Sequence, residues 1–199
     1  MEMTGTQRIN ATPMRVWEAL NDPVLLQQSI SGCEVLSARE ENGATGFDAV
    51  VAQKIGPISA RFKGKVTLAD LEPPHRYTLR GEGSGGPAGF AKGEAQIRLE
   101  PDGVDATKLI YTVRANVGGK LAQLGQRLID QAAKSMADDF FARFCAAVET
   151  QPAAVTKDSI AGEPSPEAAP AMSGGLPAGI WVPAFIAVTL VLVVAFAML

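Results

Sequence analysis

The sequence predicts an α+β domain, a curved antiparallel sheet closed around one long C-terminal helix, followed by a flexible linker and a single transmembrane helix. Three observations carry this expectation. Several mid-chain runs alternate apolar and polar residues with period two, a later stretch repeats its apolar residues at helical spacing, and residues 180–199 contain no charged side chain. A sheet with one apolar face and a single amphipathic helix bury those surfaces against each other, which gives a helix-grip arrangement within residues 1–150.

The elements follow in order. Thr12 before Pro13 is a helix start, after which Val16, Trp17 and Leu20 fall on one face. Asp22 and Pro23 repeat the signal for a second, short helix carrying Leu25, Leu26 and Ile30, with Gly32 as its stop. Strands come next. Phe62, Gly64, Val66 and Leu68 alternate with Arg61, Lys63, Lys65 and Thr67, and Leu109, Tyr111, Val113, Ala115 and Val117 alternate with polar or outward neighbours. The runs from Tyr77 to Gly83 and from Gly93 to Glu100 behave in the same way, so the sheet is antiparallel with one wet face. The last helix is expected to open at Gly118 and Gly119 and to run to about Val148, with Leu121, Leu124, Leu128, Ala132, Met136, Phe140, Phe144 and Val148 as its apolar stripe.

The inner face of this sheet is short of volume. Gly64, Gly81, Gly83, Gly93, Ala95 and Ala115 occupy positions where bulky side chains are expected, and Gly125 would add a small site on the helix. Interiors pack near crystal density, so a cluster of small residues implies close approach of helix to sheet or a pocket for a guest. Bulges and bends in coiled strands are the alternative use of such glycines. The expected pocket is apolar, lined by Phe62, Gly64, Leu79, Gly81, Gly83, Phe90, Gly93, Ala95, Tyr111, Val113, Leu121, Leu124 and Leu128.

Catalytic groups are scarce. Gly81-Glu82-Gly83-Ser84-Gly85-Gly86 matches a dinucleotide fingerprint, but Pro87 and another strand follow where a helix N-terminus is needed, so the segment reads as a strand end and a mobile hairpin loop that could gate the pocket. The one histidine, His75, sits in a Pro-Pro-His turn, and Asp130, Asp138 and Asp139 read as a solvated helix face. Cys33 and Cys145 are too few for a disulfide framework or a metal site. Residues 1–150 carry 17 basic and 18 acidic side chains, a balance that offers no field for nucleic acid. A binding protein is expected rather than an enzyme.

Residues 151–179 shift to Pro, Ala, Ser and Gly, a composition too poor in large apolar groups to fold, and as a flexible coil would span ~30 Å. Residues 180–199 would form a helix ~30 Å long, matching the hydrocarbon thickness of a bilayer, with Trp181 at the interface and Pro183 in the first turn. A buried domain helix is the alternative. The first ten residues lack a cationic start and an apolar stretch, so the domain is expected on the cytoplasmic side.

The run Trp17-Glu-Ala-Leu-Asn-Asp-Pro23, then Ser31-Gly-Cys33, Phe62-Lys-Gly-Lys-Val-Thr-Leu68, Gly81-Glu-Gly83, Gly89-Phe-Ala-Lys-Gly93 and Val117-Gly-Gly-Lys-Leu-Ala-Gln-Leu-Gly125 resembles the carbon monoxide dehydrogenase CoxG family. The family usually has Pro before Gly-Cys, where this chain has Ser31, a departure that bears only on the rigidity of that turn. The resemblance implies a START-like (SRPBCC, Bet v 1-like) fold whose members commonly hold apolar ligands between sheet and helix. It also implies association with a molybdenum hydroxylase, the carbon monoxide dehydrogenase complex, at the inner face of the bacterial membrane. Together with the pocket and the anchor, it leads to the expectation of a membrane-tethered protein that recruits the enzyme and carries a lipophilic ligand, a respiratory quinone (menaquinone or ubiquinone), with no cofactor of its own. A pure adaptor without ligand and a START-like cyclase or hydrolase are the other readings; the last would need polar groups inside the cavity, where Tyr111 is the expected hydroxyl.

Overall fold

A computed structural model describes residues 1–41 and 43–150. The expected linker and anchor, 151–179 and 180–199, lie outside the described residues, and no described helix is long and apolar enough to cross a membrane. Seven strands, β1 (Glu2–Ile9), β2 (Cys33–Glu41), β3 (Ala44–Ile55), β4 (Ile58–Glu72), β5 (Arg76–Ser84), β6 (Phe90–Pro101) and β7 (Thr107–Gly118), form one antiparallel sheet in the order β1-β7-β6-β5-β4-β3-β2. Three helices complete the domain, α1 (Pro13–Ala19), α2 (Pro23–Ser29) and α3 (Gln126–Thr150).

The two short helices start where their caps place them. Thr12 Oγ1 accepts from the Arg15 N–H at 3.4 Å, and Asp22 Oδ1 accepts from the Val24 and Leu25 N–H groups at 2.8 and 3.3 Å. Val16, Trp17 and Leu20 of the first segment and Leu25, Leu26 and Ile30 of the second are buried, and Gly32 takes a φ of 72° to turn the chain into β2. α2 packs on α3, so the two short helices close one end of the grip.

The sequence pattern does not single out β1, β2 or β3 as strands. In β1 the inward positions are Met3, Gly5, Gln7 and Ile9, too mixed to mark an apolar face, and β2 is an edge strand exposed along most of its length. The long helix also differs from expectation. It opens at Gln126, because β7 runs to Gly118 and a 3-10 turn, Ala122–Leu124, followed by Gly125 at φ 83°, intervenes. Leu121 and Leu124 therefore precede the helix, and Gly125 is a turn residue rather than a small site on its face. The buried stripe of α3 is Ile129, Ala133, Ala137, Phe140, Phe141, Phe144 and Val148, so its first half is rotated by one residue from the Leu128, Ala132, Met136 stripe.

Candidate functional site

Strand register decides which inner-face residues meet. One row across the sheet runs Ala49, Gly64, Gly83, Ala91, Val117; the next runs Phe47, Val66, Gly81, Gly93, Ala115; the next Leu68, Leu79, Ala95, Val113; and a further one Tyr77, Ile97, Tyr111, Gly5. The expected small residues of the sheet are thus brought together in three adjacent rows toward its Gly118 end, Gly64 and Gly83 in the first, Gly81, Gly93 and Ala115 in the second and Ala95 in the third.

The helix can be laid against those rows by its contacts. The Phe141 ring stacks on Tyr111 with centroids 5.5 Å apart, Cys145 Sγ lies 3.9 Å from Nε2 of Gln7, which pairs with Leu109, and Glu149 Oε1 accepts from Asn10 Nδ2 at 2.8 Å just beyond the Ile9–Thr107 pair. Four helical residues rise ~6 Å and two strand residues ~6.6 Å, so α3 and β7 run past each other in step. Continued back along the helix, the same step sets Ala137 level with Val113, Ala133 with Ala115 and Ile129 with Val117. Ala133 and Ala137 are completely buried there. Small residues on the helix thus oppose small residues on the sheet.

Rings gather at the opposite end. Trp17 meets Tyr77 edge-on at 5.4 Å, and Phe140 contacts Phe141 at 5.2 Å and Phe144 at 5.4 Å. Here the glycine of the row has a structural use: a Cβ on Gly5 would strike the Tyr111 ring, which lies over it. Gly85 seats Phe62 in the same manner. Gly93 also answers to the backbone, since its Cβ would stand 2.5 Å from the Arg114 carbonyl oxygen and 2.7 Å from Ala115 Cβ.

Of the thirteen expected lining residues, Phe62, Gly64, Leu79, Gly81, Gly83, Ala95, Tyr111 and Val113 lie buried on the inner face, with Gly93 half-buried beside them and Leu121 buried in the turn after β7. Two do not. Phe90 is 56% exposed on the outer face, because Ala91 takes the inward phase of β6, and Leu128 is 48% exposed, because α3 turns Ile129 inward. Leu124 is half-buried at the end of the 3-10 turn. Tyr77 lies on the same inner face, although the pattern of small residues does not mark it. Its ring is buried at the head of the row that leads to Gly81 and Gly83 on the same face of β5, its Oη has no hydrogen-bond partner, and burial pushes its pKa upward.

Three open concavities are formed on the outer face of the sheet, and none includes a residue of α3. One is lined by charged side chains such as Arg39, Lys65, Arg80, Lys92 and Arg114, a second by Glu72, Arg76, Gln96 and Arg98, and a third, of about 560 Å³, is largely apolar, with Val35, Val50 and Phe90 beside Lys63. The hairpin between β5 and β6 is tied down, not loose: the Gly85 N–H donates to Gly89 O at 2.9 Å, and the Leu121 N–H donates to Ala88 O at 3.0 Å. Its 3-10 turn, Gly86–Ala88, offers no helix N-terminus for a phosphate.

Nucleophiles and metal ligands do not assemble. Burial pushes the Cys33 thiol up to about 11 and raises Cys145 as well, so neither supplies a thiolate at neutral pH. His75 is exposed in the turn between β4 and β5, and Asp138 and Asp139 pair with Lys134 and Arg143 one turn away on α3. Among the described residues no group of three His, Cys, Asp or Glu could hold a metal ion.

Residues 5–149 match the carbon monoxide dehydrogenase CoxG family. The chain belongs to that family. CoxG proteins are accessory components, so the role associated with this domain is that of an accessory to carbon monoxide dehydrogenase. A conserved protein from Geobacillus kaustophilus is 32% identical, with a TM-score of 0.69 over 75% of this chain and 95% of that one. The Zhui aromatase/cyclase from Streptomyces sp. R1128 (14% identity, TM-score 0.55, 75% and 93% covered) and Ara h 8.0201 (15%, 0.55, 76% and 99%) share the Bet v 1-like fold. No curated protein matches the sequence. The CoxG domain thus has the START-like fold expected of it, a fold that can bind hydrophobic ligands.

Proposed function

We propose that this CoxG-family protein is a non-enzymatic carrier, tethered to the cytoplasmic side of the bacterial inner membrane by residues 180–199, that recruits carbon monoxide dehydrogenase and presents a respiratory quinone to it. The observation that carries the reading is the opposition of small residues across the interior, Gly81, Ala95 and Ala115 on the sheet against Ala133 and Ala137 on the helix. An isoprenoid chain is long, thin and apolar, which suits a slot bounded by hydrogens and methyl groups. Transfer of each CH₂ from water into such a slot contributes ~0.8 kcal/mol, whereas transfer from a bilayer contributes almost nothing. Exchange with the membrane is then reversible, and a tether compensates for modest affinity by raising local concentration.

The test is electron transfer from the dehydrogenase to quinone in liposomes with the full chain, a chain lacking 176–199, and Gly81→Leu. The carrier reading expects the full chain to accelerate transfer and both variants to lose most of that effect. Equal rates for the full chain and Gly81→Leu, both well above the rate without protein, would leave an adaptor that binds the enzyme and needs no ligand. The outer-face concavities favour that second reading, since they offer charged and apolar surface for a protein partner without opening the interior.

A further inference from the structure

A phenol has one hydrogen to give, and inside an apolar core an unmade hydrogen bond costs the full desolvation of the group. The buried hydroxyls of Ser29 and Thr107 avoid that cost by donating to the main-chain oxygens of Leu25 and Ala11, each at 2.7 Å. Tyr77 Oη does not. It is buried without a partner, although Asn21 Oδ1, another buried acceptor without a partner, belongs to the residue whose Nδ2 donates to Trp17 O, and Trp17 packs edge-on to Tyr77. Leu79, Gly81 and Gly83 follow Tyr77 on the same face of β5, so ~20 Å of inner face leads along the strand from Tyr77 to Gly83. Trp17 of α1 packs against Tyr77 at this end of the face.

Resting on the carrier reading, we propose that Tyr77 is the polar terminus of the binding site. Its Oη–H donates to an oxygen acceptor, a carbonyl of the quinone class, at the head of the guest, and the guest's chain trails over Leu79, Gly81 and Gly83 toward the Gly118 end. A hydrocarbon of the same build satisfies the slot but leaves the hydroxyl unpaired, so the site selects for a chain with an oxygenated head.

The experiment uses the full chain in detergent micelles, wild type and Tyr77→Phe, with a prenylated benzoquinone or squalene as probe. Bound probe is quantified by mass spectrometry and thermal unfolding is followed in parallel. The expected result is about tenfold preference of the wild type for the quinone, reduced to near parity in Tyr77→Phe, with the melting temperature of the variant unchanged or raised because a buried orphan has been removed. Binding of both probes equally by both proteins overturns the role of Tyr77 and leaves the carrier reading intact. A fall in melting temperature with the preference retained assigns the hydroxyl to an internal partner, Asn21 or a buried water, and overturns it too. If wild type binds neither probe, the carrier reading itself fails.

Discussion

At its Leu109 end the interior between sheet and helix is lined by the rings of Trp17, Tyr77, Tyr111, Phe140, Phe141 and Phe144, whereas toward its Gly118 end the facing surfaces of β5–β7 and α3 are mostly glycine and alanine, with Val117 and Ile129 beyond them. The same strands and the same helix make both ends. Rings supply the dispersion contacts and buried area that hold the domain together, whereas the small residues let helix and sheet approach or leave space for the proposed guest. Under the carrier reading the guest's chain lies at the small-residue end and only its head reaches the rings, at Tyr77.

The largest effect should come from emptying the aromatic end. Phe140→Ala removes a completely buried ring and should cost about 3–5 kcal/mol, read as a shift in the urea midpoint. A loss under ~1 kcal/mol would mean that the rings do not carry the fold and would break the comparison. Gly93→Ala should cost ~1–3 kcal/mol, because the new methyl meets the Arg114 carbonyl and Ala115 in strands that cannot separate. That position then marks the part of the small-residue end that serves the backbone.

Asp22→Ala should lower stability by ~1 kcal/mol through loss of the α2 cap, measured by thermal melting, and should leave bound lipid unchanged. It shows whether a modest general destabilisation alone expels a ligand. The smallest expected stability change is that of Gly81→Leu, under ~1 kcal/mol against the ~1–3 kcal/mol of overpacking in a filled core, although co-purifying lipid, measured by mass spectrometry, should fall to background. A stability loss near the upper figure would instead show that helix and sheet touch at Gly81 and that the small residues serve close packing.

Much of the fold was legible because it rests on local chemistry. Thr12-Pro13 and Asp22-Pro23 announce helix starts through groups that bond within three residues, and the alternation of β4 through β7 records which face is wet. β1 and β2 escaped because edge strands bury less and so need less pattern. The candidate site was half legible. Gly64, Gly81, Gly83 and Ala95 stood out by their size at inward positions, whereas Phe90 and Leu128 were assigned to the wrong face because an apolar residue beside a strand end or a helix start gives no phase. Tyr77 could have been found from the alternation that runs through Leu79 to Gly81.

By itself the sequence determined the CoxG family, the α+β grip and the supply of small residues on one face, since composition, periodicity and motif order are properties of the chain alone. Only the tertiary structure decided the rotation of α3, which brings Ala133 and Ala137 rather than Ala132 and Met136 onto the sheet, and which glycines seat aromatic rings or crowd a neighbouring strand. The tertiary structure also left Tyr77 without a partner. The physical reason is that each depends on atoms brought close from distant parts of the chain. No local pattern encodes whether a donor at residue 77 will find an acceptor across the core.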